Sequence, residues 1–173
     1  MRLRNEEQYL FYRMYSNDMV SALTSIKILK RYRRPDVRYA LLRDITVAYV
    51  RPFSKNIGKS GKNELATKNI VPKEMLPLHQ QLVNLRMQQF AHTDLTYRQP
   101  KTVLWAGGMY YVQFREADYD GLLGQIPEIE ILVRSVESRV NDCIAEYERE
   151  GHHWNHEDTI RITLPTLDGT GFL

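Results

Sequence analysis

The sequence is poor in cysteine, and Cys143 is the only one among its 173 residues. An internal disulfide is therefore excluded, and we interpret Cys143 as a packing residue within a helical pattern. No apolar run approaches the roughly 18 residues that a membrane-spanning helix requires. The opening residues, MRLRNEEQYL, have no apolar signal region and contain Glu6 and Glu7. These absences predict a cytoplasmic protein without a membrane segment.

A strong net charge is also lacking, because 24 lysines and arginines nearly balance 21 acidic residues. The hydrophobic fraction of 43% and the length of 173 residues suit one domain with its own core. We predict a single helical-bundle domain over residues 1–151 and a C-terminal tail over 152–173. No cofactor or metal ion is expected. His152 and His156 would share a helix face in the tail, but the sequence specifies no third ligand.

Basic residues are nevertheless clustered around one turn of the chain. The cluster that we predict to bind nucleic acid consists of Lys30, Arg31, Arg33 and Arg34. Lysine and arginine neutralise phosphate groups, so such a cluster is able to follow a nucleic-acid backbone. The alternative interpretation is a solvated helix end, where basic side chains interact favourably with the helix dipole.

Apolar residues at three- and four-residue steps predict four helices. Three of them span residues 6–31, 72–92 and 127–150. The other begins at Pro35 and is limited by Pro52. Proline is tolerated in a first helical turn but disfavours helix at the residue before it. Long helices with short connections are typical of bundles. The predicted fold class is therefore all-α, an up-and-down bundle of about four long helices.

Two segments between these helices have other patterns. Residues 101–115 contain two β-type runs on either side of Gly107 and Gly108, which predicts a small β-hairpin inserted in the bundle. Residues 54–71 are polar and contain glycine, which predicts a loop.

The end of the third predicted helix carries the residue types that most suggest chemistry, namely Arg86, His92 and Asp94. On an ideal helix, Arg86 and His92 point about 120° apart and lie about 9 Å apart along the axis. They converge only if the helix deforms before His92, or if two copies of the helix meet across a two-fold axis.

The chemistry of this pair points to phosphate groups. Arginine is able to stabilise charge on a phosphorane-like transition state, and histidine exchanges protons near neutral pH. Since RNA supplies its own 2′-hydroxyl nucleophile, Arg86 and His92 are sufficient in principle to cleave RNA without a metal. Asp94 would orient the His92 ring, and Asn84 and Gln89 would donate hydrogen bonds nearby. The alternative is a purely structural helix end, where histidine also suits the helix dipole.

The segment 85–94 (LRMQQFAHTD) resembles the Arg-x5-His motif of HEPN-type domains. Residues 39–43 (YALLR) and 47–53 (VAYVRPF) are similar to segments of bacterial proteins that carry such a helix. The resemblance covers roughly residues 5 to 95. It implies a homodimer with facing motif helices that binds RNA or a nucleotide. For active members it also implies a metal-independent endoribonuclease of toxin–antitoxin or phage-defence systems, with Arg86 and His92 as the catalytic pair and a cognate regulatory protein as partner.

A second hypothesis comes from a different class of proteins. Met87 follows Arg86, where active members of the family typically have a polar residue. This difference favours a catalytically inactive, homodimeric interaction or scaffold module whose motif helix is only an interface. The presence of Arg86, His92 and Asp94 together favours the enzyme.

Overall fold

The computed structural model describes residues 2–59, 61–91, 98–105, 107–114 and 117–150. Within these ranges the chain is mostly helical and also forms two small antiparallel hairpins. The helices are α1 (Arg2–Leu29), α2 (Pro35–Val50), α3 (Leu76–Leu85), α4 (Tyr119–Gly124) and α5 (Ile126–Arg149). The strands are β1 (Asn56–Gly58), β2 (Gly61–Asn63), β3 (Lys101–Leu104) and β4 (Tyr110–Gln113). None of these helices is both long enough and apolar enough to cross a membrane.

Helix α1 packs against both α2 and α5, and these three helices supply most of the core. On α5, buried residues recur at three- and four-residue steps, namely Ile129, Leu132, Val133, Val136 and Val140. The apolar pattern of the sequence also assigns Ile131 to this inward face, but Ile131 is 57% exposed. The assignment is wrong because Ile131 follows Ile129 by two positions, which point to nearly opposite sides of a helix.

The proline positions delimit α2 as predicted. Pro35 lies in its first turn, and α2 ends at Val50. A single turn of 3₁₀-helix, Arg51–Phe53, contains Pro52 and follows directly. The Arg51 guanidinium donates to the Asp18 carboxylate of α1, so this turn is tied to the neighbouring helix. Burial raises the pKa of the Asp18 carboxyl, and the nearby Arg51 opposes that shift.

The third predicted helix is interrupted rather than uniform. A 3₁₀ turn, Lys73–Met75, leads into α3, and α3 continues as a π-helix over Arg86–Ala91. The hydrogen bonds of a π-helix span five residues instead of four, so its turn is wider than that of an α-helix. The ideal-helix angle between Arg86 and His92 therefore does not apply to this segment.

The hairpin predicted over residues 101–115 is confirmed. Strands β3 and β4 pair antiparallel, with Thr102 opposite Val112 and Leu104 opposite Tyr110. The connection turns on Gly107 and Gly108, whose φ angles are 98° and 80°. Glycine adopts these positive values without the steric cost that a Cβ would add.

The loop predicted over residues 54–71 is wrong in part, because it contains a second hairpin. Strands β1 and β2 pair antiparallel, with Asn56 opposite Asn63. This hairpin lies against the start of α1, where a Cβ at Gly58 would come within 2.9 Å of the Phe11 ring. Each strand is only three residues long, and glycine, lysine and asparagine give no strand signal.

A buried histidine joins α2 to α3. The Nδ1 atom of His79 forms a hydrogen bond of 2.8 Å with the Tyr49 hydroxyl, and its ring packs edge-on against Phe53 at 4.6 Å. When Nδ1 accepts, the proton lies on Nε2, which is 3.5 Å from the Thr67 hydroxyl. Burial lowers the pKa of His79 and raises that of Tyr49, so both side chains stay neutral.

This histidine predicts an acid-sensitive fold. Because the folded state lowers the pKa of His79 below the unfolded value of about 6.5, the unfolded chain binds more protons in acid. We expect the free energy of unfolding to fall as the pH is lowered from about 7 to about 5. Urea unfolding at both pH values measures this change. The variant His79→Gln should show a smaller pH dependence, and an unchanged dependence would contradict the assignment.

Candidate nucleic-acid interface

The side chain of Arg86 stands at the junction of α3 and the π-helix. Its backbone N–H donates to both Leu82 O and Val83 O, which marks the point where regular α-helical bonding ends. Its guanidinium lies 3.0 Å from the Met87 sulfur, a weak acceptor. Among the residues that the structure describes, no carboxylate forms an ion pair with Arg86. Within the described part of the chain, no carboxylate therefore neutralises the charge of Arg86.

A deformed helix was one of two arrangements expected for a converging Arg–His pair, and the helix is deformed as far as Ala91. Turns of π-helix are rare and occur frequently at functional sites. His92 and Asp94 themselves lie outside the described residues, as do His152, His153 and His156. Their roles therefore stay predictions from the sequence.

Three aromatic rings from three different helices meet beside the π-helix. We call Tyr39, Phe90 and Tyr119 the aromatic cluster. The rings of Tyr39 and Tyr119 pack edge-to-face at 4.6 Å, and Phe90 lies parallel to Tyr119 at 6.4 Å. The Arg43 guanidinium lies 6.0 Å from the centre of the Phe90 ring, at the limit of a cation–π contact. Arginine and aromatic faces are the groups that hold phosphates and unstacked bases.

The Gln89 side chain is held beneath this cluster. Only 9% of Gln89 is exposed, and its Oε1 accepts a hydrogen bond of 3.2 Å from the Tyr119 hydroxyl. Its Nε2 is buried and has no hydrogen-bond partner within the described part of the chain. A buried, unpaired amide destabilises a fold by about 1–3 kcal/mol, so its presence calls for an explanation. An acceptor brought by a ligand would supply one.

Asn84 does not join this arrangement. Its Oδ1 accepts a hydrogen bond of 2.9 Å from Gln80 Nε2 on the exposed side of α3. Since Asn84 precedes Arg86 by two positions, the two side chains do not face each other. Of the two supporting amides that we predicted, Gln89 contacts the aromatic cluster and Asn84 contacts Gln80.

The predicted basic cluster lies at the turn between α1 and α2, and all four of its residues are exposed. Two of them have acidic partners. Lys30 pairs with Glu130 of α5, and Arg34 pairs with Asp36 at 2.5 Å. Lys30 and Arg134 together lower the pKa of Glu130. Ion pairs that are this exposed are weak, so the basic residues remain able to exchange these partners for phosphates.

An open groove lies elsewhere, between residues 69–74 and α5, with a volume of about 840 Å³. Two arginines of its lining have neighbouring carboxylates. Arg134 lies 2.7 Å from Glu130, and Arg139 lies 3.6 Å from Asp142.

The described residues support neither a metal centre nor a cysteine nucleophile. Among the described residues, no group of three or more histidine, cysteine, aspartate or glutamate side chains could hold a metal ion. Burial raises the pKa of the Cys143 thiol, which disfavours the reactive thiolate at neutral pH. Cys143 is partly buried, and its role as a packing residue stays a prediction.

Comparisons with protein-family models, with curated proteins and with solved structures find no match for this chain. Its function must therefore be inferred from the chemistry of its own side chains. The residues that the sequence did not single out are Arg43, Phe90 and Tyr119. A local signal links only Arg43 to the aromatic cluster. Tyr39 and Arg43 are four residues apart on α2 and therefore share a helix face.

Proposed function

We propose that this chain is a HEPN-like, up-and-down helical bundle that binds RNA and cleaves it without a metal ion. In this proposal Arg86 stabilises the charge on the reacting phosphate, and His92 exchanges the proton of the 2′-hydroxyl or of the leaving group. The active form is a homodimer in which two Arg86/His92 pairs share one cleft. A toxin–antitoxin or phage-defence role, with a cognate regulatory protein, follows from the same resemblance.

The observation that carries this proposal is the environment of Arg86. Its guanidinium has no carboxylate partner among the described residues, and it stands where the helix widens. The same widened segment contributes Phe90 to the aromatic cluster, with Arg43 beside it. A cation without a carboxylate partner among the described residues, on the same segment as one ring of an aromatic cluster, suits single-stranded RNA better than a duplex, whose bases are already stacked.

The basic cluster extends this surface along α2. From Arg34 to Arg43 the chain rises by about 13 Å, since an α-helix rises about 1.5 Å per residue. The exposed basic side chains at the turn are thus within reach of the phosphates that flank bases held at the aromatic cluster. In this interpretation Lys30, Arg31, Arg33 and Arg34 bind the backbone without reading sequence.

The proposal is tested by RNA cleavage in the presence of EDTA. We expect wild-type protein to cleave unstructured RNA and to leave DNA of the same sequence intact, because DNA lacks the 2′-hydroxyl. The variant His92→Ala should lose most of this activity, by about 10²-fold or more, because a positioned general acid or base contributes that much. Equal cleavage by both proteins would contradict the role of His92. If wild-type protein cleaves none of a varied set of RNAs, the enzyme proposal fails.

A catalytically inactive interaction module is the second candidate, and Met87 favours it. The sulfur of Met87 occupies the space beside the Arg86 guanidinium, where a polar side chain would form a stronger hydrogen bond. RNA binding without cleavage would support this candidate. Fluorescence anisotropy with a labelled RNA oligonucleotide, repeated at several salt concentrations, measures binding independently of cleavage.

A further inference from the structure

The β3–β4 hairpin exposes an unusual amount of apolar surface. Because Thr102 lies opposite Val112 and Leu104 opposite Tyr110, these four side chains share one face of the hairpin. We call them the apolar hairpin face. Exposure reaches 60% for Leu104, 72% for Tyr110 and 49% for Val112. The opposite face is partly covered, since Trp105 packs against Tyr111 at 5.9 Å.

This hairpin has little support from the rest of the described chain. Its strands pack mainly against each other rather than against the helices. A two-stranded hairpin is at best marginally stable in water on its own and needs a surface to pack against. The apolar hairpin face is therefore available for a partner to pack against.

The apolar hairpin face supplies part of a stable interface. Its large apolar residues, Leu104, Tyr110 and Val112, present on the order of 400 Å² per chain, since one aromatic side chain alone has about 150–250 Å². A standard stable interface buries about 800 Å² per partner, so the remainder would come from the facing motif helices of the proposed homodimer.

The charge of the hairpin disfavours RNA as its partner and is compatible with a second copy of the chain. Lys101 is the only charged residue in the two strands, so the hairpin lacks the cations that RNA binding requires. A neutral face can meet an identical face without repulsion between like charges, which a charged face cannot do. Strand β4 also contains no lysine or proline, the residues that commonly prevent an exposed edge from pairing with another chain.

We infer that the β3–β4 hairpin is a homodimerisation element whose apolar face is covered by the same face of a second copy of this chain. The inference rests on the homodimer of the proposed function and names its contact surface. It does not rest on the chemistry of Arg86. Since the hairpin follows the motif helix in the chain, its pairing would hold the two motif helices within one assembly.

The test measures solution mass by sedimentation equilibrium over the micromolar range. We expect wild-type protein to be dimeric and the double variant Tyr110→Lys/Val112→Lys to be monomeric, with a dissociation constant raised by about 10-fold or more. The matched control is Ile57→Lys, which changes an apolar residue that is 86% exposed in the other hairpin. This control should remain dimeric.

A second variant separates loss of the interface from loss of folding. Tyr110→Glu/Val112→Glu should also be monomeric alone, but a mixture of the lysine and glutamate variants should form a heterodimer, because their charges are then opposite. A dimer that persists in both double variants would overturn the hairpin interface while leaving the proposed homodimer in place. A strictly monomeric wild type would overturn both, whereas RNA binding by that monomer would still support the proposed RNA function.

Discussion

Replacing Arg86 by alanine is expected to lower the rate constant of RNA cleavage by about 10²–10³-fold, as is typical when one group that stabilises a transition state is removed. The loss should fall on kcat rather than on KM, because the charge that Arg86 stabilises develops during the reaction. Arg86→Lys should recover part of the rate. Lysine keeps the positive charge but lacks the planar pair of donors that fits a phosphate.

The matched control for this experiment is Arg13→Ala. Arg13 is an exposed arginine of α1 whose neighbour is Glu148, 3.9 Å away near the end of α5. Its removal takes away the same charge and should leave cleavage unchanged. If Arg86→Ala retained full activity in EDTA, the assignment of Arg86 would be wrong, whatever the fate of His92. If both arginine variants lost activity equally, general charge rather than a positioned side chain would explain the cleavage.

Truncation of Leu82 to alanine is expected to lower the free energy of unfolding by about 2–5 kcal/mol. Leu82 is fully buried on α3. Its truncation removes buried apolar atoms from the core and leaves a cavity in their place. Its backbone carbonyl also accepts the N–H of Arg86, so it lies one helical turn before the candidate site. Denaturant unfolding followed by circular dichroism measures the change.

The matched control is Leu76→Ala in the same helix. Leu76 is exposed, so the same truncation there should cost less than about 1 kcal/mol. Equal losses in the two variants would show that helix propensity rather than core packing sets the stability of α3. Arg86 follows directly after α3. On heating, we therefore expect the Leu82→Ala variant to lose its cleavage activity at a lower temperature than the Leu76→Ala control.

Several elements could be predicted because their signals are local. Pro35 and Pro52 act on the backbone of their own and neighbouring residues, so they delimit α2 in any context. Gly107 and Gly108 likewise mark the turn between β3 and β4. The β1–β2 hairpin has no such signal. Its position against Phe11 is set by packing with α1, more than 40 residues away in sequence.

The π-helix at Arg86–Ala91 was also beyond the reach of sequence periodicity. Residues 78, 82 and 85 follow a regular α-helical stripe, and the stripe does not reveal where the hydrogen bonds change their span. The aromatic cluster shows the same limit more clearly. Its three rings come from α2, the π-helix and α4, and no spacing within one element relates them.

The sequence by itself determined the long helices α1, α2 and α5, the turn at Gly107 and Gly108, and the position of Arg86 near the end of a helix. These features depend on side-chain volume, backbone freedom and periodicity over a few residues. Only the tertiary structure decided that Gln89 is buried with its side chain bonded to Tyr119, that His79 is buried against Tyr49, and that the β3–β4 hairpin packs little against the described helices. Burial depends on which distant elements pack together, and neighbours in the sequence do not encode that arrangement.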